Sequence, residues 1–165
     1  MNSSLFLLCP TDFLEPIIET KYKGANYFYA SLGNVLTFDL STLENIKNLL
    51  NKKDIRKIYF VLADDNKIFL DALEEQNLSQ IRGLKEFNKV IKNQEKQSEL
   101  LWYASDSKHL IFSYYLNHKI KELEFNLRNA LNHSPTIKGK IYTKSLDAFV
   151  DIYPNLVCLK RFNLN

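Results

Sequence analysis

From Ile55 to Ala63 the sequence reads IRKIYFVLA, and its second half is apolar at every position. A strand with no polar side must be covered on both faces. Parallel sheets achieve this because their crossover helices lie above and below the strands. Leu5 to Cys9 (LFLLC) is a second short apolar run, ended by Pro10, and reads as another buried strand. Alternating with the helical patterns around them, these runs direct the reading to α/β architecture.

The remaining elements fit around them. Thr11 or Asp12 can cap a helix reaching about Thr20, which Pro16 keeps short or kinked, and Gly24 closes the segment. Tyr27 to Ala30 is a strand followed by a Gly33-Asn34 turn. Ser41-Thr42-Leu43-Glu44 has the form of a capping box for a helix that presents Leu43, Ile46, Leu49 and Leu50 on one face. Asp64-Asp65-Asn66 opens a helix after the long strand, and residues 78–97 are helical in character, with Gly83 against them. Trp102 to Ser107 reads as a connection. Leu116, Ile120, Leu123, Leu127 and Leu131 then recur at helical spacing, a single buried stripe stopped by His133-Ser134-Pro135. Ile137 to Thr143 and Ala148 to Tyr153 are strands separated by four residues, an antiparallel hairpin. The predicted order is β-α-β-α-β-α-α-α-β-β: one domain over 1–165, a mainly parallel twisted sheet of four or five strands, helices on both faces, and a closing hairpin. The apolar residues Leu156, Val157, Leu159 and Phe162 predict that 154–165 packs over the domain.

Composition excludes several functions. The chain has 165 residues, 45% hydrophobic, with 22 basic residues against 19 acidic ones, a formal charge of +3. That bias is too weak to predict nucleic-acid binding. No run approaches the roughly 20 apolar residues of a membrane span, and no secretory signal is legible, so the cytoplasm is the expected compartment. Cys9 and Cys158 stand far apart, outside any Cys/His ligand spacing. The four glycines form no phosphate-cradling pattern, so nucleotide binding by the known motifs is not expected.

In open α/β sheets, ligands bind beyond the carboxyl ends of the strands, where the strand order reverses. That rule selects Cys9, Pro10, Thr11 and Asp12 after the first strand, Ala30, Ser31, Leu32, Gly33 and Asn34 after the second, and Asp64, Asp65, Asn66 and Lys67 after the third. Each has an ordinary reading beside the chemical one. Cys9 is a reactive thiol or a small core residue. Asp64 and Asp65 are an acid/base pair or helix caps. Lys67 is an anion ligand or a surface lysine. His109, His118 and His133 lie on or after the long helix, without metal-pair spacing. The aromatic group Trp102, Tyr103, Phe112, Tyr114 and Tyr115 is a ligand surface or core packing.

These strand-end segments resemble the β-carbonic anhydrases. Cys9-Pro-Thr-Asp-Phe13 corresponds to that family's CxDxR motif, Tyr29-Ala-Ser-Leu-Gly-Asn34 to its RNAGN-like turn, and Val61-Leu-Ala-Asp-Asp-Asn-Lys67 to its GHxxCG motif. Leu123 to Tyr153 resembles its closing helix and hairpin. The resemblance implies a site where two cysteines and a histidine hold zinc and an Asp-Arg pair controls the fourth position. Cys9 matches the first ligand. The histidine position falls on Ala63 or Asp64, the second cysteine on Asn66 or Lys67, and the Asp-Arg pair on Thr11 and Phe13. A catalytic zinc takes three protein ligands. Without the metal, water keeps a pKa of about 15.7 instead of about 7. The family's N-terminal arm has no counterpart in the sequence, so dimerisation is expected to be lost or to use another surface.

The expectation is therefore a carbonic anhydrase-like pseudoenzyme without metal or cofactor. It would act by binding a partner, a second copy of itself, a small anion or another small molecule, around a vestigial site of Cys9, Asp12, Ser31, Gly33, Asn34, Asp64, Asp65 and Lys67. The alternative is an enzyme with repurposed chemistry at Cys9 with Asp12, Asp64 or Asp65, and a third reading is a structural subunit of a larger assembly.

Overall fold

A computed structural model describes residues 3–74, 77–81, 83–101, 107–128, 134–154 and 156, with 97–101 and 107 described by backbone alone. The strands are β1 (Ser3–Leu8), β2 (Ala25–Ala30), β3 (Ile55–Ala63), β4 (Thr136–Thr143) and β5 (Ala148–Asp151). The helices are α1 (Glu15–Lys21), α2 (Leu40–Lys52), α3 (Lys67–Leu73), α4 (Leu84–Leu101) and α5 (Ser107–Leu127). The element order is the one the sequence predicts.

The strands form one sheet in the order β2-β1-β3-β4-β5. β1 runs parallel to both β2 and β3, β3 runs parallel to β4, and β4 turns back antiparallel into β5. The chain leaves β1 toward one edge of the sheet and leaves β3 toward the other. The carboxyl ends of β1 and β3 are thus the switch point of the sheet, where its loops diverge and leave room for side chains.

β1 shows why both faces must be covered. Leu5, Leu7 and Cys9 point into a large core with α2, α3, α4 and α5, while Phe6 and Leu8 point to the opposite face, against Leu14 and Ile18. Among the described residues that second face is covered by one seven-residue helix, α1, and by aromatic rings: Phe6 stacks on Tyr59 at 5.0 Å and meets Tyr22 edge-on at 5.0 Å. The stripe on α5 is buried at Leu116, Ile120, Leu123 and Leu127. Leu131, Trp102 to Asp106, His133, Cys158 and most of the 154–165 segment lie outside the described residues.

The local differences concern helix starts. α2 is capped by Asp39, not by the Ser41 box: Asp39 Oδ1 accepts the Thr42 N–H at 2.8 Å, and Ser41 lies inside the first turn. An aspartate two residues earlier offers a charged acceptor to the same donors, so it takes the cap. α3 is capped by Asn66, whose Oδ1 accepts from Phe69 N at 2.8 Å, not by Asp64 or Asp65. α1 begins at Glu15, after a 3-10 turn over Pro10–Asp12, since Phe13 adopts a left-handed conformation (φ 52°) that breaks any continuous helix from Thr11. Gly83 (φ 94°) separates a 3-10 turn over Asn77–Gln80 from α4, so the helical stretch over 78–97 is two elements. No helix among the described residues is long and apolar enough to cross a membrane.

Candidate functional site

Two layers meet at the switch point. The inner layer is packed solid. Cys9 is 1% exposed, its Sγ accepts the Gly33 N–H at 3.2 Å, and it lies 3.1 Å from Thr11 Oγ1. Asn34 is fully buried, and its amide donates to Leu7 O at 2.8 Å and Val61 O at 3.1 Å. One side chain thereby ties the ends of the two strands that diverge there. Asn34 and Gly33 both have positive φ (57° and 59°), which lets the turn press against β1 and β3. From above, Tyr115 donates its hydroxyl to Gly33 O at 3.0 Å, and a side chain at position 33 would stand 3.1 Å from Ile68 Cγ2 and 3.3 Å from Phe87 Cζ.

The outer layer is polar and partly open to solvent. Asp12 Oδ2 accepts the Ala63 N–H at 2.9 Å, and Asp12 Oδ1 accepts the Asn66 amide at 2.6 Å. This clamps the loop after β1 onto the end of β3 and the start of α3. Burial pushes the Asp12 carboxyl from the usual 3.8 up to about 6; the Asp65 charge adds to the rise, while the hydrogen bonds from Ala63, Asn66 and Thr11 oppose it. Asp65 pairs with Lys144 at 2.7 Å, and Asp64 Oδ1 accepts the Lys144 N–H at 3.4 Å. Lys67 is exposed at the first position of α3.

The structure thus brings Cys9, Gly33 and Asn34 together as a plug and places Asp12, Asp64 and Asp65 above it. Ser31 lies at the same edge: its N–H donates to Leu8 O at 2.9 Å, and its hydroxyl has no partner among the described residues. Lys67 forms no ion pair among them. Lys144 and the Asn66 link to Asp12 are the site features that sequence reading missed. The strand-end rule applied to β4 would have found Lys144, since that residue follows Thr143 at the same sheet edge.

The raised Asp12 value gives a pH prediction. A carboxyl held above its unfolded value favours the folded state below about pH 4, and that contribution is lost as pH rises through about 6. The span amounts to roughly 3 kcal/mol at most. Asp39 and Asp147 have lowered values and act with the opposite sign, below the usual 3.8. Asp12→Asn should therefore flatten the stability of the protein between pH 4 and 7, at a lower overall level because two amides then face each other. Urea unfolding across that range checks it, and parallel curves for both proteins would contradict the assignment.

No family model and no curated protein matches this chain. Solved structures do. A cysteine-to-alanine variant of the β-carbonic anhydrase CafD of the filamentous fungus Aspergillus fumigatus aligns with a TM-score of 0.73 at 15% identity, over 93% of this chain and 90% of that one. One of two tetrameric β-carbonic anhydrases from the ascomycete Sordaria macrospora aligns at 0.69 and 14% identity, over 95% and 81%. The Coccomyxa β-carbonic anhydrase, solved with acetazolamide, aligns at 0.68 and 12% identity, over 92% and 72%. The chain has a β-carbonic anhydrase-like fold.

That fold implies zinc, and the residues at the switch point do not fit it. Cys9 is occupied by Gly33 and Thr11. Ala63 offers no side-chain donor, Asp64 faces Lys144, Asn66 is committed to Phe69 N and Asp12, and Lys67 is a cation. Among the described residues no group of three or more His, Cys, Asp or Glu side chains is placed to hold a metal ion. His109 packs edge-on against Tyr153, and His118 lies 3.9 Å from Glu122 on α5.

Proposed function

We propose that this chain uses the β-carbonic anhydrase-like fold as a binding scaffold in the cytoplasm and does not hydrate carbon dioxide. The observation that carries the proposal is the state of Cys9: the one matched ligand position is buried and bonded inward, under a clamp made by Asp12 and Asn66. A zinc-bound hydroxide needs three protein ligands and an open fourth position, and neither is available above this thiol. The partly exposed outer layer of Asp12, Asp65 and Lys144 is the surface offered to a small ligand or a partner chain. Since the Sordaria macrospora enzymes are tetrameric, a second copy of this chain is one such partner. Stopped-flow hydration of carbon dioxide by the purified protein, with and without added zinc, tests the reading. No acceleration over buffer is expected, and a zinc-dependent rate that disappears in Cys9→Ala would overturn it.

One observation favours a second reading, chemistry repurposed at the same place. The Asp12 carboxyl, lifted to about 6, titrates where a general base is useful. In this reading Cys9 would serve as the nucleophile, which requires access. In a Cys158→Ser background, the remaining thiol should react with a water-soluble disulfide reagent at least a hundredfold more slowly in the native protein than in urea. Comparable rates would instead support the repurposed enzyme.

A further inference from the structure

The sheet has two edges, and they are finished differently. At one edge, β5 is only four residues long and ends on Asp151, which is exposed and pairs with Lys140 of β4 at 2.7 Å. A short strand that ends in a charge discourages further pairing. At the other edge, β2 reads Ala25-Asn-Tyr-Phe-Tyr-Ala30. It has six residues, with no charge, no proline and no bulge against β1. It therefore carries none of the usual protections of an edge strand. Among the described residues no strand pairs with its outer side.

The inner partner of β2 fixes which backbone groups point outward. Ser31 donates its N–H to Leu8 O at 2.9 Å. In a parallel ladder, alternate residues turn both N–H and C=O toward the same neighbour. Ala25, Tyr27 and Tyr29 are in phase with Ser31 and face β1, while Asn26, Phe28 and Ala30 turn their backbone groups outward. Side chains alternate with the same period. Tyr27 and Tyr29 pack on the larger core, and Phe28 packs on the smaller one. The side chains beside the strand leave its backbone edge uncharged. The Asn26 amide donates to Tyr22 O at 3.1 Å and to Glu19 Oε2 at 3.4 Å on the α1 side, and Lys53 stands 5.6 Å from the centre of the Tyr27 ring on the other.

The outward row is centred on Phe28, and this selects the occupant. When two copies of β2 meet antiparallel about a two-fold axis at Phe28, Asn26 of each copy lies opposite Ala30 of the other, and Phe28 lies opposite Phe28. Every outward residue then faces another outward residue, and each such pair exchanges two hydrogen bonds, about six in all. A shift of one residue would set outward groups against inward ones. A shift of two would leave Asn26 or Ala30 opposite residues beyond the strand. In the matched register Tyr27 of each copy faces Tyr29 of the other at the positions where side chains come closest. Such aromatic pairs stabilise neighbouring strands, and no like charges within the strands are brought together. A foreign peptide would meet the same backbone without this two-fold match.

We propose that β2 is the surface through which two copies of this chain join, antiparallel, so that their sheets run on as one. An antiparallel two-fold contact closes on itself, whereas a parallel head-to-tail contact would leave a free edge at each end. The two-fold axis stands perpendicular to the sheet, so the larger cores of both copies lie on the same side. This surface is distinct from the outer layer of Asp12, Asp65 and Lys144, and its failure would leave the reading of Cys9 untouched.

Two measurements on the full chain test it together. Sedimentation equilibrium over rising concentration reads the assembly, and amide hydrogen exchange by NMR in dilute and concentrated samples locates it. A monomer–dimer equilibrium is expected, or a larger assembly built from such dimers. The amides of Tyr27, Tyr29 and Ser31 should be protected at every concentration. Those of Asn26, Phe28 and Ala30 should gain at least tenfold in protection as the dimer forms. Ala30→Pro removes an outward N–H at an exposed position and spares the bonds to β1. It should weaken dimerisation at least tenfold, with circular dichroism of the dilute protein unchanged; if that variant misfolds, the exchange pattern of the unaltered chain still decides. A chain that stays monomeric at the highest concentration reached would overturn the proposal. So would an assembly in which the amides of Asn26, Phe28 and Ala30 stay as open as in the monomer, or one that a folded Ala30→Pro variant forms just as tightly.

Discussion

Asn34→Ala should destabilise the protein by about 3 kcal/mol, from two lost buried hydrogen bonds and a left-handed backbone that alanine tolerates poorly. The amide of Asn34 joins Leu7 O of β1 to Val61 O of β3, at the place where the loops of the sheet diverge. Asn34 is fully buried, so bulk water does not compete for either carbonyl. Asn34→Gly keeps the backbone conformation and loses the same bonds, so its loss should be smaller by about 1 kcal/mol. Asn34→Asp should be worse than either. It would bury a carboxylate against two carbonyl oxygens. Urea unfolding of the three variants gives the order directly. A loss below about 1 kcal/mol for Asn34→Ala would show that the switch point is held by other contacts.

Phe69→Ala should cost about 4 kcal/mol, the range for truncating a fully buried aromatic. The ring of Phe69 is completely buried on α3 and stacks on Phe112 at 3.8 Å between centroids, with an interplanar angle of 15°. Its edges meet Phe87 and Tyr115 at 5.9 Å each. It therefore couples α3, α4 and α5, three of the four helices that cover the larger face of the sheet. Tyr115 in turn holds Gly33 O, so the substitution should also loosen the cover over Cys9. Thermal unfolding measures the first effect. The second would appear as faster thiol labelling of Cys9 in the Cys158→Ser background, under conditions where the variant remains folded.

The architecture was legible because its signals are periodic and long. The run of β3, the alternation of β1 about two covered faces and the α5 stripe each repeat one rule over many residues, so a single exception could not hide them. The hairpin was legible from its four-residue separation. The caps were not, because several polar residues competed for each helix start. Asp39 won over Ser41 and Asn66 won over Asp64 and Asp65, choices decided by backbone direction within one turn.

The site was half legible. The strand-end rule named Cys9, Asp12, Gly33, Asn34, Asp64 and Asp65, and the resemblance placed Thr11 and Phe13 where an Asp-Arg pair was implied. Phe13 is 77% exposed and Thr11 lies against Cys9, so neither takes such a role. The carboxylate that does reach β3 is Asp12, one residue from the matched position, and its partners lie 51 and 54 residues away. Pairing over such distances depends on how the 3-10 turn after Cys9 is set, which no local pattern encodes.

Zinc affinity of the Cys158→Ser protein, measured by competition with a chromophoric chelator, probes the strand ends most directly. The arrangement of Cys9, Asp12 and Asn66 predicts no competition at equimolar zinc and an unchanged unfolding midpoint when the metal is added. One tightly bound zinc per chain, lost on Cys9→Ala and accompanied by a rise in stability, would contradict it.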